Sequence, residues 1–167
     1  MNRIARAAVV LAAMAAPGQA FADGCPSSYV CAAKPDSVVA SLQAQGYRAM
    51  LGKSDSTGNP KIESAANGYN YSVLFYGCEK GENCTSLGFM ITFEKDPTNT
   101  AQLANEWNKA NRFSQMALND DGTLSLSYDI STVGGLSQPN FADVVDWWQV
   151  ILGNVRVFFN KHPAPGK

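Results

Sequence analysis

The sequence predicts an α+β domain in which helices pack on an antiparallel meander sheet. Three observations carry this. Apolar residues alternate with polar ones along Tyr69–Gly77 and Leu87–Phe93, the period of a half-buried strand. Asn67-Gly68 and Asn119-Asp120-Asp121-Gly122 are hairpin turn signals between such runs. Three segments with helical spacing stand at the start, middle and end of the chain, and interrupted runs of strands and helices indicate α+β. The element order is α-β-β-β-β-α-β-β-α.

The first helix opens at Pro35-Asp36-Ser37, where Pro and an acid suit a first turn. Val38, Val39 and Leu42 form its apolar face and Gly46 ends it. Tyr47–Leu51 and Lys61–Ser64 are short strands around the turn Asp55–Pro60. Tyr71, Val73 and Phe75 then share one strand face, and Leu87, Phe89, Ile91 and Phe93 another. A second helix spans Thr98–Arg112, capped by Thr98 or Asn99, with Leu103 and Trp107 inward. Ser114–Leu118 and Thr123–Ile130 are the last strands. Gly134-Gly135 precedes a final helix from Pro139 to about Asn160, and 161–167 reads as a flexible tail.

The final helix is over-supplied with apolar residues, 13 of 19 between Phe141 and Phe159. Val144, Val145, Trp148, Ile151, Leu152, Val155, Phe158 and Phe159 fill one broad face, and Trp147, Val150 and Val157 fall outside it. A surface helix needs only one stripe, so the surplus points either to burial on several sides or to a partner. A membrane span is not expected, because Asp143, Asp146 and Arg156 interrupt the run.

Residues 1–22 read as a cleavable signal peptide. Arg3 and Arg6 precede the apolar run Ala7–Ala16, and Ala20-Phe21-Ala22 gives small residues at a cleavage site. Lipid attachment at Cys25 is disfavoured, since Asp23 stands where a small or aliphatic residue is wanted. The expected location is periplasmic or secreted. Without Arg3 and Arg6, 11 basic residues face 14 acidic ones, so clustered positive charge for nucleic acid is missing. Cys25, Cys31, Cys78 and Cys84 form two Cys-x5-Cys pairs. Of the three pairings that four cysteines allow, Cys25–Cys31 and Cys78–Cys84 are favoured, the first tying down a leader over 23–34 and the second closing a hairpin tip. Redox and zinc sites ordinarily use tighter spacing.

No catalytic constellation emerges, and neither a metal nor another cofactor is expected. Asp120 and Asp121 belong to a turn where Asp is common. Asp143 and Asp146 suit the start of a helix. The one histidine, His162, lies in the expected tail, and no Gly-x-Ser-x-Gly elbow occurs. Asp55-x-Thr57-x-Asn59 has the look of a calcium loop, but Gly58 is misplaced and Ala66 occupies the position of the bidentate Glu.

Three segments together resemble the YbjN-domain family, described as bacterial sensory transduction regulators. They are Gly68–Cys78 with Cys84–Phe89, then Trp107-Asn108-Lys109 with Asn111-Arg112-Phe113, then Asp120-Asp121-Gly122 with the strand to Asp129-Ile130 and Gly134-Gly135. The resemblance covers about Asp36 to Asn160, within a domain bounded at 35–160. It implies a fold similar to type III secretion chaperones, often dimeric, and no enzymatic activity. It also implies that Trp107 and Phe113 anchor the second helix to the sheet and that Arg112 pairs with an acid. Export departs from cytoplasmic signalling. The expected function is an exported, non-catalytic binding or chaperone-like regulatory domain that engages a protein or peptide, with a homodimer possible. Trp147, Trp148 and Phe158 are the expected contact residues. The alternatives are a small periplasmic enzyme, or a small-molecule sensor with a pocket lined by Tyr69, Tyr71 and Tyr76.

Overall fold

The fold is taken from a computed structural model that describes residues 25–163. The expected signal peptide and the last four positions of the expected tail lie outside the described residues. The elements are α1 (Pro35–Ala44), β1 (Met50–Lys53), β2 (Pro60–Ala66), β3 (Tyr69–Tyr76), β4 (Ser86–Phe93), α2 (Ala101–Ala110), β5 (Gln115–Leu118), β6 (Leu124–Ser131) and α3 (Gln138–Lys161). Their order is the expected one. They build a single six-stranded antiparallel sheet in the order β1-β2-β3-β4-β6-β5. The first four strands form a meander. After β4 the chain leaves the sheet through α2, lays β5 at the far edge, and returns with β6 between β5 and β4.

The period-two pattern divides the sheet into two faces. Ile62, Ser64, Tyr71, Val73, Phe75, Leu87, Phe89, Ile91, Leu124, Leu126 and Tyr128 point to the helical side and are buried. Residues in alternate positions, such as Glu63, Ser72, Met90 and Ser127, stay partly or fully accessible. All the core helix residues belong to one continuous cluster with that inner face. The domain therefore has two layers, with one sheet face open to solvent.

An aromatic chain runs through the interface. Trp148 lies 5.6 Å from Tyr71 and 5.7 Å from Phe89, and Phe89 lies 6.5 Å from Phe141. Such ring pairs add about 0.5–1.5 kcal/mol each beyond the area they bury. Tyr71 carries a cost in return. Its hydroxyl, the Ser64 hydroxyl and the Trp148 indole N–H are buried without a hydrogen-bond partner. Burial pushes the Tyr71 phenol up, and the neighbouring Tyr47 pushes it the same way. The Ser64 hydroxyl beside it pulls down without reaching hydrogen-bonding geometry.

Several boundaries differ from expectation for local reasons. The Tyr47 N–H still donates to the Leu42 carbonyl at the end of α1, so pairing begins only at Met50. Thr100 caps α2, accepting from the Leu103 N–H at 3.0 Å. Thr98 is instead held by Asp96, whose carboxylate accepts from both its N–H and its hydroxyl. Ser137 caps α3 and Pro139 occupies its first turn. At the other end α3 includes Lys161, and the His162 ring packs 4.6 Å from Phe158 with its Nε2 3.7 Å from Glu106. Of these two residues, both expected in a flexible tail, Lys161 ends the helix at the surface, and His162 meets the folded body at Phe158 and at Glu106 of α2.

The segment before α1 is fastened to the far end of the sheet. Val30 and Leu136 exchange backbone hydrogen bonds, and the Ala32 N–H donates to Thr132 Oγ1. Disulfides join Cys25 to Cys31 and Cys78 to Cys84, the latter across the tip of the β3–β4 hairpin.

Candidate interaction surface

The six residues from Trp107 to Arg112 and the loop behind them build the most unusual surface of the described chain. Trp107 is fully buried, T-shaped against Phe158 at 5.3 Å, and its indole N–H donates to Ser114 Oγ. Asn108 spans α2 and β5: its amide donates to the Met116 carbonyl at 3.0 Å and its carbonyl oxygen accepts from the Met116 N–H at 2.8 Å. Asn111 donates to the Trp107 carbonyl and accepts from Asn154 of α3. The loop between α2 and β5 is thus pinned at both ends and from the side.

Phe113 sits in this pinned loop. Its φ is +65°, a left-handed conformation that a bulky residue adopts rarely, at a cost of order 1–3 kcal/mol. The side chain is 47% exposed. Its ring meets Trp147 edge-on at 4.8 Å and Tyr128 at 6.2 Å. The Arg112 guanidinium lies 4.7 Å above it. The inward anchor implied for Phe113 is therefore not what the structure holds. The left-handed turn swings the ring outward, while Trp107, with Leu103 and Ala104, anchors α2. Arg112 stacks on the ring of its own neighbour.

The three expected contact residues separate. Trp148 is 0% exposed and belongs to the core, so it presents nothing to a partner. Trp147, one helix position earlier and 100° round, is half-buried beside Phe113. Phe158 is half-buried between Trp107 and His162. Sequence inspection missed Phe113 as a surface residue, since no glycine marks the left-handed turn. The only available signal was the polar run Asn108–Arg112 ending abruptly in an aromatic.

The tyrosines of the sensing alternative do not line one pocket. Tyr71 is in the core, Tyr69 packs against Phe93 at its margin, and Tyr76 lies on the opposite sheet face. There it covers Gly88, where an added Cβ would come within 2.7 Å of its ring. A shallow cavity of about 230 Å³ lies between Ala32, Pro35 and the second disulfide tip, below the 300–1,000 Å³ usual for ligand pockets. Among the described residues no group of three or more His, Cys, Asp or Glu side chains could hold a metal, and no helix is long and apolar enough to cross a membrane.

Comparison with known proteins now bears on this arrangement. The model of the YbjN family, described as "Putative bacterial sensory transduction regulator", matches residues 34–153. The chain belongs to the YbjN family. No curated protein matches it in sequence. Among solved structures it is similar to one described as "Crystal structure of YbjN, a putative transcription regulator from E. coli". The two are 16% identical over 81% of this chain and 96% of that one, with a TM-score of 0.57. At that identity the likeness establishes the YbjN fold. The Phe113 loop lies inside the matched region, as do all six strands.

Proposed function

We propose that this chain is an exported, non-catalytic regulatory domain that binds a protein or peptide segment at the Phe113–Trp147 patch. The observation that carries the reading is Phe113 itself. A half-exposed aromatic ring held in a strained backbone by at least four side-chain hydrogen bonds has no evident benefit to the fold alone. Strain of this kind concentrates at sites of function. An aromatic pair beside a stacked guanidinium suits an apolar side chain flanked by a carboxylate, and Trp and Arg are enriched at binding hot spots.

Family membership supports a regulatory rather than an enzymatic role. The two disulfides support work in an oxidising compartment, which for a chain with the expected leader is the periplasm or the exterior.

The test is a peptide panel measured against the purified, oxidised domain. Peptides carrying Phe or Leu next to Asp or Glu are expected to bind, and Lys-substituted versions to lose about tenfold or more. Phe113→Gly should abolish that preference while the melting temperature stays within a few degrees, since a residue without a Cβ removes the left-handed strain and so offsets the lost ring contacts. Equal binding by Phe113→Gly would overturn the reading.

A further inference from the structure

The left-handed turn at Phe113 also changes the sheet beside it. β5 pairs with β6 only from Gln115↔Ser127 to Leu118↔Leu124. β6 runs on to Ser131 and is paired with β4 along its whole length on the other side. In an antiparallel ladder, successive residues direct their N–H and C=O groups to opposite edges. The Thr132 N–H donates to the Thr85 carbonyl, so the even-numbered residues of β6 bond to β4. The Asn119 N–H donates to the Thr123 carbonyl, so the odd-numbered ones bond to β5. The backbone groups of Asp129 and Ser131 therefore face the β5 side, past the point where β5 begins. Among the described residues no backbone hydrogen bond reaches them there, and both residues are exposed.

Continued in register, β5 would bring Phe113 opposite Asp129 and Asn111 opposite Ser131. Neither pairing forms. The φ of +65° at Phe113 turns the chain out of line, and Asn111 is held by Trp107 and Asn154. The strained turn thus keeps a strand position open at the sheet edge. Its helical side is the patch already described. Ile130, half-buried, is the inward residue between Asp129 and Ser131. Two positions back on the same face, Tyr128 meets the Phe113 ring, which in turn meets Trp147. A residue placed opposite Ile130 points to this same side, because cross-strand neighbours share a face. Unpaired N–H and C=O groups along an edge are a template for another backbone.

We infer that the edge of β6 at Asp129 and Ser131 is a strand-addition site, where an extended peptide segment enters in line with β5 and sets one apolar side chain opposite Ile130, beside Phe113 and Trp147. The inference rests on the peptide-binding reading of that patch and supplies its backbone geometry. The probe is an acetylated, amidated seven-residue peptide with Phe next to Glu, titrated into the oxidised full-length secreted product. Methylating its backbone nitrogens one at a time should show a period of two. The two amides facing β6 should each lose about tenfold or more in affinity, and the amide between them should lose little. Ser131→Pro removes a donor from the open edge and leaves the β4 ladder intact, a place where proline is tolerated. It should weaken the unmethylated peptide about tenfold with the melting temperature within a few degrees. Amide exchange at Asp129 and Ser131 should be fast in the free domain and slow about tenfold or more with peptide bound, while Ser125 and Ser127 stay slow throughout. A methylation series without that period, or slow exchange at Asp129 and Ser131 in the free domain, would overturn the inference. Protection that grows with protein concentration alone would assign the edge to a second copy and overturn it equally. Binding that depends on Phe113 but ignores methylation leaves the patch reading standing without the strand. Binding by no peptide of the panel removes both.

Discussion

Tyr71 shows how a single side chain can both hold the core together and weaken it. Its ring packs against Trp148 and Phe89, but its hydroxyl is buried unpartnered. Replacing it by phenylalanine keeps the ring and removes the orphaned group. Tyr71→Phe should therefore leave stability unchanged or raise it by up to about 1 kcal/mol in denaturant titration. The pH dependence has a defined sign. The folded-state pKa is raised above the ordinary value of 10.0, so the neutral phenol is favoured in the folded protein. Its contribution is fully present below pH 10 and is lost as pH rises through the folded pKa. Wild-type unfolding midpoints should fall in that alkaline range more steeply than those of Tyr71→Phe. Equal slopes would show that another group governs alkaline unfolding.

At the scale of elements, α2 and β5 depend on each other through one residue. Asn108 satisfies both backbone groups of Met116 on an edge strand. Asn108→Ala should destabilise the domain by about 2 kcal/mol, and hydrogen exchange should show the loss concentrated in β5 and the Phe113 loop. Asn108→Asp should be intermediate, because it keeps the acceptor for the Met116 N–H. The motif was readable in the sequence only as a string of types. Its partner is eight residues away, and nothing in Trp107-Asn108-Lys109 says that the amide turns toward the strand. Elements with strong periodicity were legible throughout: the alternation of β3 and β4, and the broad face of α3 with Val150 and Val157 outside it. The neighbouring tryptophans, 100° apart on the helix, were separated by the same pattern: Trp148, on the apolar face, is buried, and Trp147, outside it, is half-buried. The place of β6 was hidden. A hairpin turn specifies that β5 and β6 pair, but not which of them meets β4.

For the whole molecule, the disulfides set the conditions under which the fold is used. The Cys78–Cys84 bridge closes a loop of six-residue separation, worth about 2 kcal/mol in the chain-entropy account. Cys78→Ser with Cys84→Ser should lower unfolding stability by about that amount in denaturant titration. The Cys25–Cys31 bridge lies beside the Val30–Leu136 strand contact, so its removal should loosen the segment before α1 while leaving the sheet intact. A uniform loss of protection across β3 and β4 on breaking the first bridge would contradict this division.

The late arrival of β6 has a consequence for biogenesis. Its eight residues are the neighbour of β4 along that strand's whole length, from Ser86↔Ser131 to Phe93↔Leu124. Until residue 131 is available, β4 is paired only with β3, and its other edge stays bare along eight residues that include Leu87, Phe89 and Ile91, the kind of template on which chains aggregate. Any nascent or truncated form ending before that point would need shielding from its own kind, and the α3 residues that roof the same strand come later still. Completion is thus a single closing event near the C-terminal end, and a protease-resistant species should emerge all at once rather than strand by strand.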